Sequence, residues 1–204
     1  KIVSVCTDGH RLAKYKSQAD GDDNLSIIIP RKAVLEISRI INSFNDNKEI
    51  IMKYSYNKKI FHIKINDYVI ISKLIEGNYP NFNKVIPERT TSEIIVDKLT
   101  LKTSLNIISK VVNQQYKGVK LTPNNNTMHL ISSNTDSEIG EDQIDVEYSG
   151  EEISIGFNIS YLQDVIDTLD GDTIHICIND QHSGCVVQDN QDQDSTFVIM
   201  PMRV

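Results

Sequence analysis

The chain repeats itself. The segment LSIIIPRKAVLEISRII, starting at Leu25, is matched by ISIGFNISYLQDVIDTL, starting at Ile153, and both read as strand, break and amphipathic helix. KEIIMKYS (48–55) matches DTIHICIN (172–179), KIFHIKIND (59–67) matches GCVVQDN (184–190), and YVIISKLI (68–75) matches FVIMPMRV (197–204). IVSVCTD near the start echoes HLISSNTD at 129–136. The offset stays between about 124 and 129 residues, and self-similarity at a near-constant offset means tandem copies of one domain. Each copy reads as two strand–helix–three-strand units, an α+β class of fold. The second copy runs to Val204. The first lacks the strand, helix and strand that residues 94–121 supply in the second, and the chain opens on Lys1 rather than Met. The expectation is a fragment that begins inside a domain. The expected division is 1–82 and 83–204, near the linker EGNYPNFNKVIPERT, where Pro80 and Pro87 interrupt all periodicity.

Local patterns fill in the elements. KIVSVCT and RLAKYKS predict a hairpin turning at Asp8-Gly9. DGDDN is a polar loop and LSIIIP a short strand stopped by Pro30, which suits the first turn of the following helix. In that helix Val34, Ile37, Ile41 and Phe44 predict a buried stripe, with Lys32, Glu36, Arg39 and Ser43 opposite. Strands are predicted in EIIMKYS, KIFHIKI and YVIISKLI, turning at Tyr56–Lys59 and Asn66-Asp67. SEIIVDK is a strand. LTLKTSLNIISKVVNQ is a helix striped by Leu101, Leu105, Ile108 and Val112, with Lys102, Asn106, Ser109 and Asn113 facing away. GVKLTPNNNTMHLISS is a hairpin turning at Asn124–Asn126. Then come strands QIDVEYS and EISIGFN, the helix ISYLQDVIDTL, and strands DTIHICI, GCVVQ and TFVIMPM. NTDSEIGED between them reads as a solvated acidic loop.

Composition narrows the chemistry. A hydrophobic fraction of 39% with 6% aromatics and no Trp predicts a core of Ile, Val and Leu. No apolar run approaches the roughly 18 residues that a membrane span needs, and no signal-peptide pattern opens the chain. Cys6, Cys177 and Cys185 are an odd number without C-x-x-C, which reads as reduced thiols packed in a cytosolic protein. A formal charge of -7 argues against gripping nucleic acid by bulk positive charge.

The sharpest local cluster is TDGHRLA, Thr7 to Ala13. A metal site at Cys6, Asp8 and His10 is one reading, since Asp8-Gly9-His10 has the D-x-H of metallophosphoesterases. The further G-D-x-x-D and G-N-H-[DE] motifs of that chemistry are absent from the sequence. Asp8 is better explained as a turn residue. His175 and Cys177 alternate along one strand and share a face, but no third group is visible to orient a nucleophile.

TDGHRLA after a strand, IIIPRKAVLE, EGNYPNFNKVIP, YSGEEISIGFNISYLQDVI and the terminal FVIMPMRV, in this order and over almost the whole chain, resemble the bacterial DNA sliding clamp, the β subunit of the replicative polymerase (polymerase III). The resemblance implies a DNA-clamp fold of tandem domains, helices lining an inner face and sheets outside. It implies a non-catalytic, cytoplasmic processivity factor without cofactor or metal. When full length, two subunits close around double-stranded DNA. A pocket tethers the replicative polymerase subunit, and the clamp loader, translesion polymerases and repair proteins compete for it through short peptide motifs. Carried over position by position, the pocket uses Thr7, Gly9, His10, Arg11 and Leu12; Pro80 and Val85; Asn158 and Tyr161; and Val198, Met200, Pro201, Met202 and Arg203. In this reading Arg11 and Arg203 can meet a peptide carboxylate or carbonyl. The family often has small residues before the strand that precedes the tail; here the stretch DQHSGCVV sets His182 at one edge. The DNA-facing residues implied are Arg31, Lys32, Arg39 and Lys102. Val111, Asp136, Glu138, Glu141 and Asp142 form the implied dimer edge. A ring that holds DNA by topology needs only a basic inner wall, which reconciles DNA with the acidic total. The readings from other classes are a metal-dependent phosphoesterase built on Asp8 and His10, and a β-rich interaction module without a DNA role.

Overall fold

The computed structural model describes residues 1–18, 25–44, 50–55, 59–87 and 89–204. The loop DGDDN and turn residues 56–58 lie outside these. The chain forms two compact units, Asp22–Pro80 and Lys1–Gly21 with Asn81–Val204.

In the unit Asp22–Pro80, helix α1 (Arg31–Ile41) accompanies an antiparallel meander of β3 (Ile50–Ser55), β4 (Ile60–Ile65) and β5 (Tyr68–Lys73). Strand β4 is central, and its alternate residues Phe61, Ile63 and Ile65 are buried beneath Ile37, Ile40 and Phe44. Asn66, at φ 52°, makes the two-residue turn between β4 and β5. Three expectations are corrected here. LSIIIP forms no strand: Ile28 takes the Ile75 N–H at 2.9 Å, and Ile27 and Ile29 give their side chains to the core without a ladder. Pro30 caps α1 rather than entering its first turn, because its ψ of 141° is extended. The buried side of α1 is Ala33, Ile37, Ile40 and Phe44, while Val34 is 48% and Ile41 39% exposed. Both stripes satisfy the helical period, and the position of β4 selects between them.

In the other unit, a six-stranded antiparallel sheet runs β1-β2-β13-β12-β11-β6. Its strands are β1 (Ile2–Thr7), β2 (Arg11–Ser17), β6 (Ser92–Asp97), β11 (Thr173–Ile178), β12 (Cys185–Asp189) and β13 (Ser195–Ile199). A four-stranded sheet runs β10-β7-β8-β9, from β7 (Gly118–Asn124), β8 (Thr127–Ser133), β9 (Ile139–Asp145) and β10 (Ile155–Asn158). Helices α2 (Lys98–Ile108) and α3 (Ile159–Thr168) share one core with residues of both sheets. The predicted α2 stripe is buried: Leu101 at 1%, Leu105 at 0%, Ile108 at 1% and Val112 at 6% exposed. Side-chain oxygens of Asp97 and Asn158 cap α2 and α3 by accepting the N–H groups of Thr100 and Ser160.

Helix α2 ends six residues before the predicted limit of 114, and the carbonyl of the Asn113 side chain accepts N–H bonds from Gln115 and Tyr116 in a turn that replaces a further helical turn. Asn125 and Asn126 both take positive φ, 45° and 65°, as a tight two-residue hairpin requires. Strand β9 begins at Ile139, four residues earlier than predicted, because β8 pairs along its full length from Thr127↔Asp145 to Ser133↔Ile139. The second half of NTDSEIGED is therefore an edge strand rather than a loop. The opening hairpin belongs to this unit, since β2 pairs with β13 from Arg11↔Ile199 to Tyr15↔Ser195. Chain order alone would put it with the first repeat. Among the described residues no helix is long and apolar enough to cross a membrane.

Candidate functional site

TDGHRLA is first a turn. The Thr7 hydroxyl donates to the Arg11 carbonyl at 2.7 Å and accepts the Gly9 N–H at 3.2 Å. One Asp8 carboxylate oxygen accepts the N–H groups of His10 and Arg11, both at 3.0 Å. Gly9 sits at φ +89°, a conformation that side-chain-bearing residues rarely adopt. Partial burial disfavours the Asp8 anion, but the His10 and Arg11 bonds outweigh it and hold its carboxyl below the usual range.

The turn sets Leu12 into a row that crosses the whole six-stranded sheet. The ladder aligns Thr7, Leu12, Val198, Val186, Cys177 and Glu93, so these side chains share one face. Leu12, Val186 and Val198 are 4%, 7% and 1% exposed, and Val5, Phe82 and Ile86 pack on them. Phe82 belongs to a short 3-10 turn, Phe82–Lys84, that carries Val85 to the surface at 43% exposure. A Cβ on Gly184 would stand 2.8 Å from Val198 Cγ1, 3.2 Å from the Val85 carbonyl and 3.3 Å from Met200 Sδ. Gly184 thus lets Val85, Val198 and Met200 converge.

Beyond β13 the tail bridges two elements. The Met200 N–H donates to the His10 carbonyl and the Met202 N–H to the Gly156 carbonyl, both at 2.8 Å. Pro201, between them, has no N–H to satisfy. Val204 lies against Gly118 and Gly156, where any Cβ would crowd it. Pro201 and Met202 are half-buried, Arg203 exposed. Asn158 is the α3 cap, and Tyr161 packs partly buried on the main core. The Arg11 guanidinium lies 4.4 Å from the Tyr161 ring centroid. Its Nη1 meets Asp164 at 2.5 Å and its Nε meets Asp8 at 3.1 Å. The hydrogen bond to Asp164, with that to Asp8, pushes the Arg11 pKa up against burial. Arg11, expected to offer its charge to a ligand, is already held by two carboxylates.

Most of the named pocket residues therefore meet: the hairpin, the Val85 turn, the start of α3 and the tail. Pro80 closes the other unit. His182 is exposed, its N–H bound to Asp180 in a turn. Gly184, Val186, Phe82 and Ile86 escaped the sequence reading. A strand alternating from Gly184 through Val186, in register with the tail, was the signal for two of them.

The competing chemistries find little support. Asp8 spends its carboxylate on the turn and Arg11, and no group of three metal-ligating side chains occurs among the described residues. His175 and Cys177 do share a face, and Glu93, unseen in sequence, joins them: its Oε1 is 2.7 Å from His175 Nδ1 and 3.7 Å from Cys177 Sγ. Burial, with the Glu93 charge, pushes the Cys177 thiol up to about 11, so it stays a poorly nucleophilic neutral thiol. Cys185 is buried, but Cys6 is exposed, contrary to the packed thiol expected: it shares a sheet face with Phe197, Val187 and Ile176, but β1 is an edge strand, beyond the part of that face that the core covers. An open polar hollow of about 640 Å³ lies at Thr90, Ser92, Glu93, Asn126, Glu147 and Tyr148, and no predicted site residue lines it.

Arg31 and Lys32 are exposed at the start of α1. Arg39 is paired with Glu36 on the same helix at 2.7 Å, and Lys102 with Asp167 of α3 at 2.6 Å. On the edge strand β9, Glu141 lies 3.8 Å from His129; just before the strand, Glu138 accepts from the Asn134 side chain. Asp136 is exposed and Asp142 half-buried, its carboxylate accepting the Gln143 N–H. Val111 covers Gly140 so closely that a Cβ there would fall 2.2 Å from its Cγ2.

The sequence and the fold both match known proteins. The family model "DNA polymerase III beta subunit, central domain" matches residues 1–81, and "DNA polymerase III beta subunit, C-terminal domain" matches 83–203. The chain is 34% identical to the beta sliding clamp of Haemophilus influenzae and 32% to that of Escherichia coli K12, in each case over 100% of this chain and 55% of the relative. The chain thus spans about half the length of these curated relatives. The crystal structure of the DNA polymerase III subunit beta from Pseudomonas aeruginosa superposes with a TM-score of 0.91 at 29% identity, covering 99% of this chain and 55% of that one. A sliding clamp from Bartonella birtlesii bound to griselimycin gives 0.91 at 32%, covering 98% and 54%.

Proposed function

The chain belongs to the DNA polymerase III β-subunit family, the bacterial sliding clamps, and we propose that within its full-length protein it serves as a non-catalytic processivity factor of the cytoplasm. The full-length homodimer encircles double-stranded DNA without reading sequence. The pocket receives short peptides of the replicative polymerase, the clamp loader, translesion polymerases and repair proteins. One observation carries this reading: Leu12, Val85, Val198 and Met200, from three separate stretches, come together beside Gly184 and the TDGHRLA turn.

The chemistry suits exchange. Burying two apolar ligand side chains contributes roughly 3–6 kcal/mol, and ordering a flexible peptide offsets part of it. The expected affinity is roughly micromolar. Met200 adds a pliable wall for varied partners. Arg31 and Lys32 are the DNA-facing cations of this proposal, with Arg39 and Lys102 exchanging Glu36 and Asp167 for phosphate. Weak phosphate contacts of this kind permit sliding. Strand β9, with Glu138, Glu141, Asp142, Asp136 and Val111, forms the dimer edge.

The test is titration of a labelled Gln-Leu-x-Leu-Phe peptide by fluorescence anisotropy. The 204-residue chain should bind it, and the chain lacking Met200–Val204 should bind about tenfold or more weakly, ~1.4 kcal/mol. Equal binding by both would move the pocket elsewhere.

A further inference from the structure

We infer that Asp164 is a positioning residue of the peptide site: it holds Arg11 over Tyr161 as one pocket wall, and it leaves that corner rich in carboxylate, so that acidic peptide side chains are rejected there. The inference rests on the peptide-site reading above and concerns a residue that this reading does not include.

Asp164 lies 153 residues from Arg11 in sequence, yet its Oδ2 is 2.5 Å from Arg11 Nη1. It stands inside α3, so its backbone is fixed, and its carbonyl accepts the Thr168 hydroxyl. Tyr161, one turn earlier, is anchored on the main core. The helix therefore presents ring and carboxylate together, three residues apart on neighbouring faces. Arg11 reaches both: its Cζ lies 4.4 Å from the ring centroid, over the ring, while Nη1 and Nε meet Asp164 and Asp8. An isolated surface pair would hold this geometry weakly. The ring contact and two carboxylates sharing one fork turn it into a network.

Two consequences follow. Arg11 contributes a paired guanidinium over the Tyr161 ring rather than a free cation, since a ligand carboxylate would have to displace a resident one. The three charged groups sum to one net negative charge, which disfavours an acidic side chain and favours amide or aliphatic groups.

The experiment is anisotropy titration of the 204-residue chain with a neutral Gln-Leu-x-Leu-Phe peptide and a set carrying Glu at each position in turn. Asp164→Asn should weaken the neutral peptide about three- to tenfold, with a melting temperature within about 2 °C of wild type. Asp164→Glu should restore most of the loss. The difference should shrink at about 0.5 M salt, where screening acts within a few ångströms. Arg11→Ala with Asp164→Ala should bind no worse than Arg11→Ala alone. At one position or more, the wild-type penalty for Glu should fall in Asp164→Asn. Unchanged affinity in Asp164→Asn, additive losses in the double variant, or an unrelieved Glu penalty at every position would overturn the inference while leaving the peptide site standing. No binding of any peptide by wild type would overturn the site itself and this inference with it.

Discussion

Helices α1 and α3 occupy equivalent places in the two repeats, and their surroundings differ. In α3, Ile159, Leu162, Val165 and Ile166 are all buried, against strands of both sheets and beside α2. In α1 only Ala33 is fully buried, and Val34, Leu35 and Ile41 are 48%, 49% and 39% exposed above a three-stranded sheet. The α1 sequence is no less apolar in pattern. What differs is the number of elements packed on it. Apolar side chains stabilise a fold only to the extent that something covers them, so equivalent substitutions in the two units should have unequal costs.

The largest difference should come from Leu105→Ala, at 0% exposure in the core shared by α2 and α3. It should destabilise by about 2–5 kcal/mol, whereas Ile41→Ala in α1 should cost about 0.5 kcal/mol or less. Paired thermal or urea melts measure both, and equal costs would break the comparison. Next, Gly156→Ala would set a Cβ 2.4 Å from the Met202 carbonyl oxygen and 2.4 Å from Val204 Cγ2. The tail must then shift, at about 1–3 kcal/mol, and peptide affinity should fall in the same variant. Native-state hydrogen exchange sharpens the contrast further: amides of β3–β5 should exchange through smaller openings than those of β7, β8 and β11, by about 1–2 kcal/mol.

The smallest effect is chemical. Cys6 is exposed, whereas Cys177 has a thiol pushed to about 11 by burial and the Glu93 charge. Mass-resolved labelling at pH 8 should modify Cys6 first and Cys177 slowly. The folded state keeps the Cys177 proton to higher pH than the unfolded chain, whose thiol titrates near 9.0. Its contribution to stability is therefore complete below about pH 9 and declines as the pH rises toward 11. Stability that rose over that window would contradict the burial of this thiol.

How far the sequence could be read depended on the range of each interaction. The helices, the α2 stripe and the Asn124–Asn126 turn were legible because each follows from neighbours within a few residues, and the repeat because two stretches of one chain can be compared directly. The Asp8-Gly9 turn was equally legible, and with it the position of Leu12, since alternation along β2 follows from the turn. The five family motifs lie in continuous stretches, and the fold brings several of the residues they name together, Leu12 with Val198 and Arg11 with Tyr161.

What tertiary structure alone decided were choices between locally equal options. α1 carries two acceptable stripes, and β4 selected Ala33, Ile37, Ile40 and Phe44. The acidic segment before Gln143 could be loop or strand, and the length of β8 drew it into β9. The opening hairpin could have stood with either repeat, and the β2–β13 ladder placed it beside the tail. Arg11 could have been free to meet a ligand, and Asp164, far away in sequence, engaged it. Local sequence sets backbone conformation and turn chemistry over a few residues. Strand partners, the helix face that is covered and the pairing of a charge depend on free energies of contact between distant segments, which exist only once those segments have met.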